Sequence, residues 1–308
     1  MKAAYLIDRE SIGGGCEYVR QKILSRPDDE CRAFYSANGE CSPGNLMKWG
    51  ADEVCVNHLR AAVQLFNPLR SLTPASRRFL RSANIYFVAH GIHSRKYEYM
   101  PRTLVNAVKC YLRVKLERWI YRRCRRVVVL TRSDEAKARE LYGLDLELVV
   151  ESNTLDGWVA PNMEQTFKGE RYSHVYIGRF CFQKGQDIWI RKMAEGSVDG
   201  RTLFIGAGET LDECKLLARR LGIYDRCSFA GEIEGAERYL KCADCVVSAS
   251  RWEGMPYLMM KARSLGCRIL ATDCPGNRDV LKGYSNATMF PVEDADASSG
   301  LLCSCHAN

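Results

Sequence analysis

The stretch His174-Val-Tyr-Ile-Gly178-Arg179-Phe-Cys-Phe-Gln-Lys184-Gly185 runs directly into Gln186-Asp-Ile-Trp-Ile-Arg-Lys-Met-Ala194. An apolar run, a glycine turn and a segment with helical spacing make one strand–turn–helix unit. The unit then recurs. Further strands are expected at residues 202–205, 227–229, 245–248 and 268–272, with a last short one near 289–291. Helices are expected at 186–194, 211–221, 236–241 and 256–265. Strands alternating with helices predict a parallel sheet covered on both faces, a doubly wound α/β domain.

The same rhythm runs upstream. Strands are expected at residues 3–7, 32–35, 85–89, 127–130 and 146–150. The first ends at Gly13-Gly14-Gly15, and a helical pattern follows through Tyr18, Val19, Ile23 and Leu24. Thr131-Arg-Ser-Asp134 fits a helix-start capping box for a helix that stops at Gly143. Gly157, Pro161, Asn162 and Gly169 interrupt the alternation and read as a linker. The expectation is two Rossmann-like domains, residues 1–160 and 161–308, a division that suits a chain of 308 residues.

Composition narrows the function classes. No window approaches the ~18 consecutive apolar residues of a membrane span. The apolar run at residues 3–7 falls short of the ~7–15 residues of a signal-peptide core, so a cytoplasmic location is expected. Fifteen cysteines are scattered through the chain, mostly within apolar runs, as buried free thiols are. Cys242-Ala-Asp-Cys245 has C-x-x-C spacing but no second pair at zinc-finger distance, and Cys303-Ser-Cys305-His306 has no framework around it. No metal site is expected.

In an open parallel sheet, ligands bind beyond the C-terminal ends of the strands. Gly178-Arg179 and Lys184-Gly185 fall there: glycine lets a phosphate approach the backbone, and the two cations can grip a diphosphate. Gly206-Ala-Gly208 ends the next strand, although G-x-G without a third glycine is weak evidence for a nucleotide. A later strand runs into Ser250-Arg-Trp-Glu253-Gly254-Met255-Pro256. Pro256 suits a first helical turn, which would aim Glu253 and the amides of Gly254 and Met255 toward a ligand. Each feature alone has an ordinary explanation, as a surface charge or a capping carboxylate. Three successive strand ends carrying glycine, cations and a glutamate favour a binding site.

The series Gly178-Arg179, Lys184-Gly185, Phe204-Ile-Gly206-Ala-Gly208, Phe229-Ala-Gly231, Ala243-Asp244, Ser250-Arg-Trp-Glu253-Gly-Met-Pro and Gly266-Cys-Arg-Ile-Leu-Ala-Thr272 resembles glycosyltransferase family 4, retaining enzymes of the GT-B architecture. The resemblance covers nearly the whole C-terminal half. Upstream it is looser, in Gly14-Gly15-Cys-Glu17 and in His90-Gly91. It implies two Rossmann-like domains facing a cleft. It also implies that Arg179 and Lys184 bind a donor diphosphate and stabilise the leaving nucleotide without a metal or cofactor. Glu253 would contact the transferred sugar, His90 would lie near it, and the Gly14-Gly15 amides would close over the phosphates. A saccharide or lipid-linked saccharide acceptor is implied, as in bacterial capsule, lipopolysaccharide or exopolysaccharide synthesis.

Two departures stand out. The family's second glutamate, eight residues after Glu253, is Lys261 here. A lysine only donates, so it cannot accept from a ribose hydroxyl. Losing one charge-assisted bond costs about 1.5–3 kcal/mol, roughly tenfold to a hundredfold in affinity. Lys261 could still bind the donor by donating to ribose oxygens or to a phosphate, so weakened activity is expected, and a nucleotide-sugar-binding protein with little turnover is the alternative. The family's helix that crosses back to the N-terminal domain is also expected to be missing, because residues 297–308 carry no helical pattern.

Between Arg95 and Arg132 stand twelve Lys/Arg against Glu98 and Glu117, a local +10 within a chain of net +8. Leu104, Val108, Leu112, Leu116 and Trp119 keep a helical stripe there. The stripe reads either as a core face with solvated charges or as a peripheral contact with anionic lipid on the inner face of the membrane. Nucleic acid is not an expected partner, because no aromatic platform or recognition motif accompanies the charge.

Overall fold

Short, nearly continuously buried apolar strands, punctuated by helices, fold the chain into two parallel-sheet units. The computed structural model describes residues 1–8, 14–70, 73–143, 145–161 and 172–292. One unit comprises Met1–Ser94 and Thr103–Gly157; the other comprises Arg95–Arg102 and the chain from Trp158 onward.

The first unit runs β1 (Lys2–Ile7), α1 (Gly14–Leu24), β2 (Glu30–Tyr35), α2 (Pro43–Trp49), β3 (Glu53–Val56), α3 (Leu59–Leu65), α4 (Pro74–Ser82), β4 (Asn84–Ala89), α5 (Leu104–Tyr121), β5 (Arg126–Val129), α6 (Arg132–Tyr142) and β6 (Leu148–Val150). Its sheet has the order β2-β1-β3-β4-β5-β6, all parallel. Thr131 caps α6, its hydroxyl accepting from the Asp134 amide at 3.1 Å. The expected helix-start signal is thus in place, and Gly143 ends the helix.

Strand β3 and helices α2 to α4 are not anticipated from the sequence. Four residues, Glu53-Val-Cys-Val56, are too few for a periodicity signal, yet all four are buried between β1 and β4. The carboxylate that hides the strand is paired: Glu53 accepts from Arg26 at 2.5 Å and from Asn84 at 3.2 Å. Helices α2 and α4 do carry a readable signal, a Ser or Thr cap followed by proline in Ser42-Pro43 and Thr73-Pro74.

The second unit runs β7 (Tyr172–Ile177), α7 (Gln186–Ala194), β8 (Thr202–Ile205), α8 (Leu211–Arg220), β9 (Cys227–Phe229), β10 (Ala243–Ser248), α9 (Tyr257–Ser264), β11 (Ile269–Thr272), α10 (Pro275–Leu281) and β12 (Ala287–Phe290). The expected helix at 236–241 is a 3-10 helix, Ala236–Lys241. The sheet order is β12-β11-β10-β7-β8-β9, again all parallel. Neighbouring residues of β10 serve opposite faces. Val247 packs with Tyr176, Trp189 and Phe204, whereas Val246 packs with Met259, Ile269 and Val280. Both faces are therefore filled, which explains near-continuous apolar strands in place of alternation.

Strand order reverses between β1 and β3 in the first sheet and between β7 and β10 in the second. Chains leaving such a pair diverge to opposite faces, and the gap at the C-terminal ends is where α/β sheets take ligands. The expectation of no return helix concerns residues outside those described.

Candidate functional site

At the β7/β10 switch point, the loops that follow the two strands are tied together. Lys184 donates from Nζ to Oε1 of Glu253 at 2.6 Å. Ser250 donates from Oγ to the same oxygen at 2.7 Å. Gln183 donates to the Trp252 carbonyl at 3.0 Å, and the Arg251 amide donates to the Gln183 carbonyl at 2.8 Å. Glu253 is buried and Lys184 half-buried. Burial works against the Lys184 ammonium, but the charge and hydrogen bond of Glu253 outweigh it and hold the lysine above its ordinary pKa. Lys184 is a cation at any physiological pH.

Behind this pair lies a buried clamp. Arg251 makes a bidentate bond with Asp187, Nη1 to Oδ1 at 2.9 Å and Nη2 to Oδ2 at 2.6 Å. It also donates to the Phe182 carbonyl at 2.7 Å, with its guanidinium over the Phe182 ring. One side chain thereby grips both the 180–184 loop and the first turn of α7. Sequence reasoning assigns neither partner a role, because 64 residues separate them in the chain. The neighbouring strand β11 braces the loop after β10. Thr272 donates to the Ser250 carbonyl at 2.5 Å, and Asn277 from α10 donates to the Thr272 carbonyl at 3.1 Å. Tyr176 on β7 donates to the Lys184 carbonyl and accepts from the Ala249 amide.

The glycines have a steric reason. A Cβ at Gly206 would lie 2.1 Å from the Gly178 carbonyl oxygen, and one at Gly208 2.2 Å from the Phe180 carbonyl oxygen. Both have positive φ, 142° and 150°. The loops after β7 and β8 therefore cross in contact, and Gly206-Ala-Gly208 is what lets them. Arg179, next to Gly178, is exposed, and its carbonyl accepts from Gln186 at 2.9 Å. Pro256 is the cap residue of α9, one position before its first turn, with Gly254 and Met255 leading into it.

Lys261 sits apart from the Lys184–Glu253 pair in its contacts. It is nearly buried on α9, with Nζ 3.5 Å from Oε1 of Glu237 and 5.6 Å from the Trp158 ring centroid.

In the first unit, Gly14 opens α1, and the Cβ direction of Gly15 points at the His90 ring, 3.6 Å away. His90 follows β4. Its Nε2 lies 3.1 Å from Oδ1 of Asn57, the residue after β3, and Tyr18 packs edge-on against its ring. Burial, with His93 and His58 nearby, pushes the imidazole pKa down to about 3. His90 is therefore neutral, and because a carbonyl oxygen only accepts, Nε2 carries the proton. Gly15, Asn57 and His90 meet at the β1/β3 switch point.

The thiols read as structural. Burial pushes Cys41, Cys55, Cys124 and Cys274 up to about 12 and Cys242 up to about 11. Cys242 and Cys245 are unbridged. No cluster of three metal-ligating side chains occurs among the described residues. Cys303, Cys305 and His306 lie outside them. No described helix is long and apolar enough to cross a membrane.

Two doubly wound parallel sheets, one with a glycine-crossed, cation-bearing switch point, give the chain the GT-B fold. The family model described as Glycosyl transferases group 1 matches residues 171–308, the half that carries Lys184 and Glu253. An uncharacterized glycosyltransferase of Methanocaldococcus jannaschii is 29% identical over 116 residues, which are 36% of this chain and 29% of that protein. The UDP-Gal:alpha-D-GlcNAc-diphosphoundecaprenol alpha-1,3-galactosyltransferase of Escherichia coli is 23% identical over 233 residues, 70% of this chain and 59% of that one. The chain thus spans less than two thirds of either relative. Among solved structures, the sucrose-phosphate synthase of Thermosynechococcus elongatus superposes with a TM-score of 0.73 at 16% identity, covering 95% of this chain and 86% of that one.

Proposed function

We propose that the chain transfers a sugar from a nucleoside-diphosphate donor to a saccharide or lipid-linked saccharide, with retention of configuration, in bacterial surface-polysaccharide assembly. The observation that carries this is the Lys184–Glu253 pair at the β7/β10 switch point. An ammonium has three donors; Glu253 takes one and leaves two for phosphate oxygens. Both bonds to Glu253 fall on Oε1, so Oε2 retains acceptor capacity for a hydroxyl of the transferred sugar. Arg179, exposed beside Gly178, adds a second cation for the diphosphate. As the glycosidic bond breaks, charge grows on the leaving phosphate, and fixed cations stabilise it more than they stabilise the ground state. In this reading no metal is required, and the acceptor hydroxyl gives its proton to the departing phosphate.

His90, neutral and with its proton on Nε2, suits a hydrogen-bonding role toward a sugar rather than a charged one. Gly14 and Gly15, at the start of α1, would offer backbone amides to a phosphate. A cytoplasmic enzyme working at the inner face of the membrane fits a lipid-linked acceptor. Calorimetry across UDP- and GDP-sugars, followed by transfer assays with the donor that binds, tests the proposal. Failure of every nucleotide sugar to bind at millimolar concentration would sink it.

One observation favours a second reading, donor binding with little turnover. The α9 position that bears a glutamate in the resembling family holds Lys261, occupied with Glu237. Tight donor binding with no transfer to any acceptor and no donor hydrolysis would establish this reading instead.

A further inference from the structure

The turn after β7 is pinned by backbone bonds on either side of Arg179. The Gly178 amide donates to the Ile205 carbonyl at 2.9 Å, and the Phe180 amide to the Ala207 carbonyl at 2.9 Å, with the Phe180 side chain buried. Arg179 between them is held by a single side chain. Gln186, the first residue of α7 and 1% exposed, donates from Nε2 to the Arg179 carbonyl at 2.9 Å. The same Nε2 stands 3.5 Å from the Gly178 carbonyl oxygen. The Arg179 amide donates to no protein group among the described residues.

These bonds set two peptide planes. Across a trans peptide the N–H lies opposite the C=O. The 179–180 peptide is gripped at both ends, its oxygen by Gln186 and its N–H by the Ala207 carbonyl. The 178–179 peptide has its oxygen toward Gln186, so the Arg179 N–H points away from the Gln186 amide. Gly178 adds no stiffness of its own to that peptide. The other half of the glutamine is idle: Oε1 is buried with no hydrogen-bond partner among the described residues. A buried acceptor left unsatisfied destabilises the fold, and methionine would fill the same space without it. The polar side chain is therefore explained by its donor, and its donor acts on the Arg179 turn.

We propose that Gln186 is a positioning residue of the donor site. By holding the Gly178 and Arg179 carbonyls against α7, it presents the Arg179 amide and guanidinium together to one phosphate of a nucleoside diphosphate. An arginine on a loose turn would lose part of its attraction in ordering the loop, whereas here the ordering precedes the ligand. The proposal rests on the donor reading above and adds to it a residue that acts through Arg179 without touching the ligand.

The full chain is titrated with UDP and with GDP in a calorimeter, and the nucleotide that binds is used throughout. Gln186→Met should weaken binding about tenfold, the lower end of what one charge-assisted bond gives. It should melt close to wild type, because the unsatisfied oxygen leaves together with the donor. In an Arg179→Gln background the same change should cost no more than about threefold, since the residue it positions is gone. If the methionine variant melts lower, Gln186→Asn, which keeps the amide and shortens its reach, carries the same cycle. Amide hydrogen exchange reads the turn without any ligand: Gln186→Met should speed exchange at Phe180 and leave Val175, inside β7, unchanged. Unchanged nucleotide affinity, equal losses with and without Arg179, or unchanged Phe180 exchange overturns the proposal. Binding weakened by Lys184→Gln but not by Gln186→Met sinks this proposal alone. A wild type that binds neither nucleotide sinks the donor reading, and this proposal with it.

Discussion

Nζ of Lys184 and Oε1 of Glu253 lie 2.6 Å apart although 69 residues separate them in the chain. One is delivered by the turn after β7 and the other by the turn after β10, so the pair exists only because these two strands are neighbours at the point where the sheet reverses its order. The contact fixes a cation over the switch point and orients the carboxylate that holds it.

Replacing Lys184 with Gln removes that cation and keeps most of its length. One charge-assisted hydrogen bond to a phosphate is at stake, about 1.5–3 kcal/mol. Donor affinity should fall roughly tenfold to a hundredfold in calorimetry with the cognate nucleotide sugar. An unchanged affinity would remove Lys184 from the donor site.

Breaking the Arg251–Asp187 clamp should act on stability first. The two side chains are 1% and 8% exposed. Arg251→Met leaves a buried carboxylate unpaired, at a cost of about 3–5 kcal/mol. Arg251→Met/Asp187→Leu should cost less than the single change, because no lone charge remains. Urea denaturation of wild type, single and double variants gives the comparison; a double variant weaker than the single would count against the clamp.

At Gly206, alanine has to displace backbone. Its Cβ would meet the Gly178 carbonyl oxygen at 2.1 Å, and φ is 142°. Overpacking and an unfavourable φ each cost about 1–3 kcal/mol, so about 2–6 kcal/mol is expected together. Gly222→Ala is the control: its φ is also positive, at 69°, but nothing lies within 4 Å. It should lose only about 1–2 kcal/mol. Thermal melts would separate the two.

The Lys261–Glu237 contact changes how a restored glutamate must be tested. Lys261→Glu alone sets two carboxylates where Nζ and Oε1 are now 3.5 Å apart, and should lower the melting temperature. Lys261→Glu/Glu237→Lys keeps the pair with its sign reversed. If a carboxylate on α9 strengthens donor binding, the swapped protein should bind more tightly than wild type, by roughly tenfold or more. Weaker donor binding by a swapped protein that melts like wild type would refute that.

His90 should stay neutral far into the acid range. Its pKa is lowered to about 3, against an ordinary value of 6.5. The unfolded chain therefore binds a proton that the native state refuses. Its contribution to stability is complete above about pH 6.5 and declines as pH falls from there toward 3. NMR of the imidazole Cε1–H should show no titration of His90 between pH 7 and 5. A midpoint near 6.5 would contradict the burial assigned to it.

Much of the second unit is legible in the sequence because its signals reinforce one another. Its strands are apolar runs, the first two closed directly by Gly178 and Gly206, and most of the helices that follow keep period 3.6. The expected strands at 202–205 and 227–229 coincide with β8 and β9. The parts that escape are short or paired over long range. Strand β3 has four residues, one of them a glutamate whose partner Arg26 lies 27 residues away. Arg251 and Asp187 are 64 residues apart, and neither is odd in its local setting. Asn57 goes unremarked for the same reason: its bond to His90 spans 33 residues. On α5 the apolar stripe is legible, but its division into a packed part and an exposed part depends on what surrounds the helix.

The clamp also has a consequence for the order of synthesis. Asp187 and Lys184 leave the ribosome well before Arg251 and Glu253. At about 5–20 residues per second, the interval is several seconds. Through that time the loop after β7 has its glycines and its cation but not the arginine that grips it or the carboxylate that aims it. Long-range pairings of this kind are late and slow to form. A nascent chain arrested before residue 250 would hold much of a folded sheet and no organised cation at its switch point.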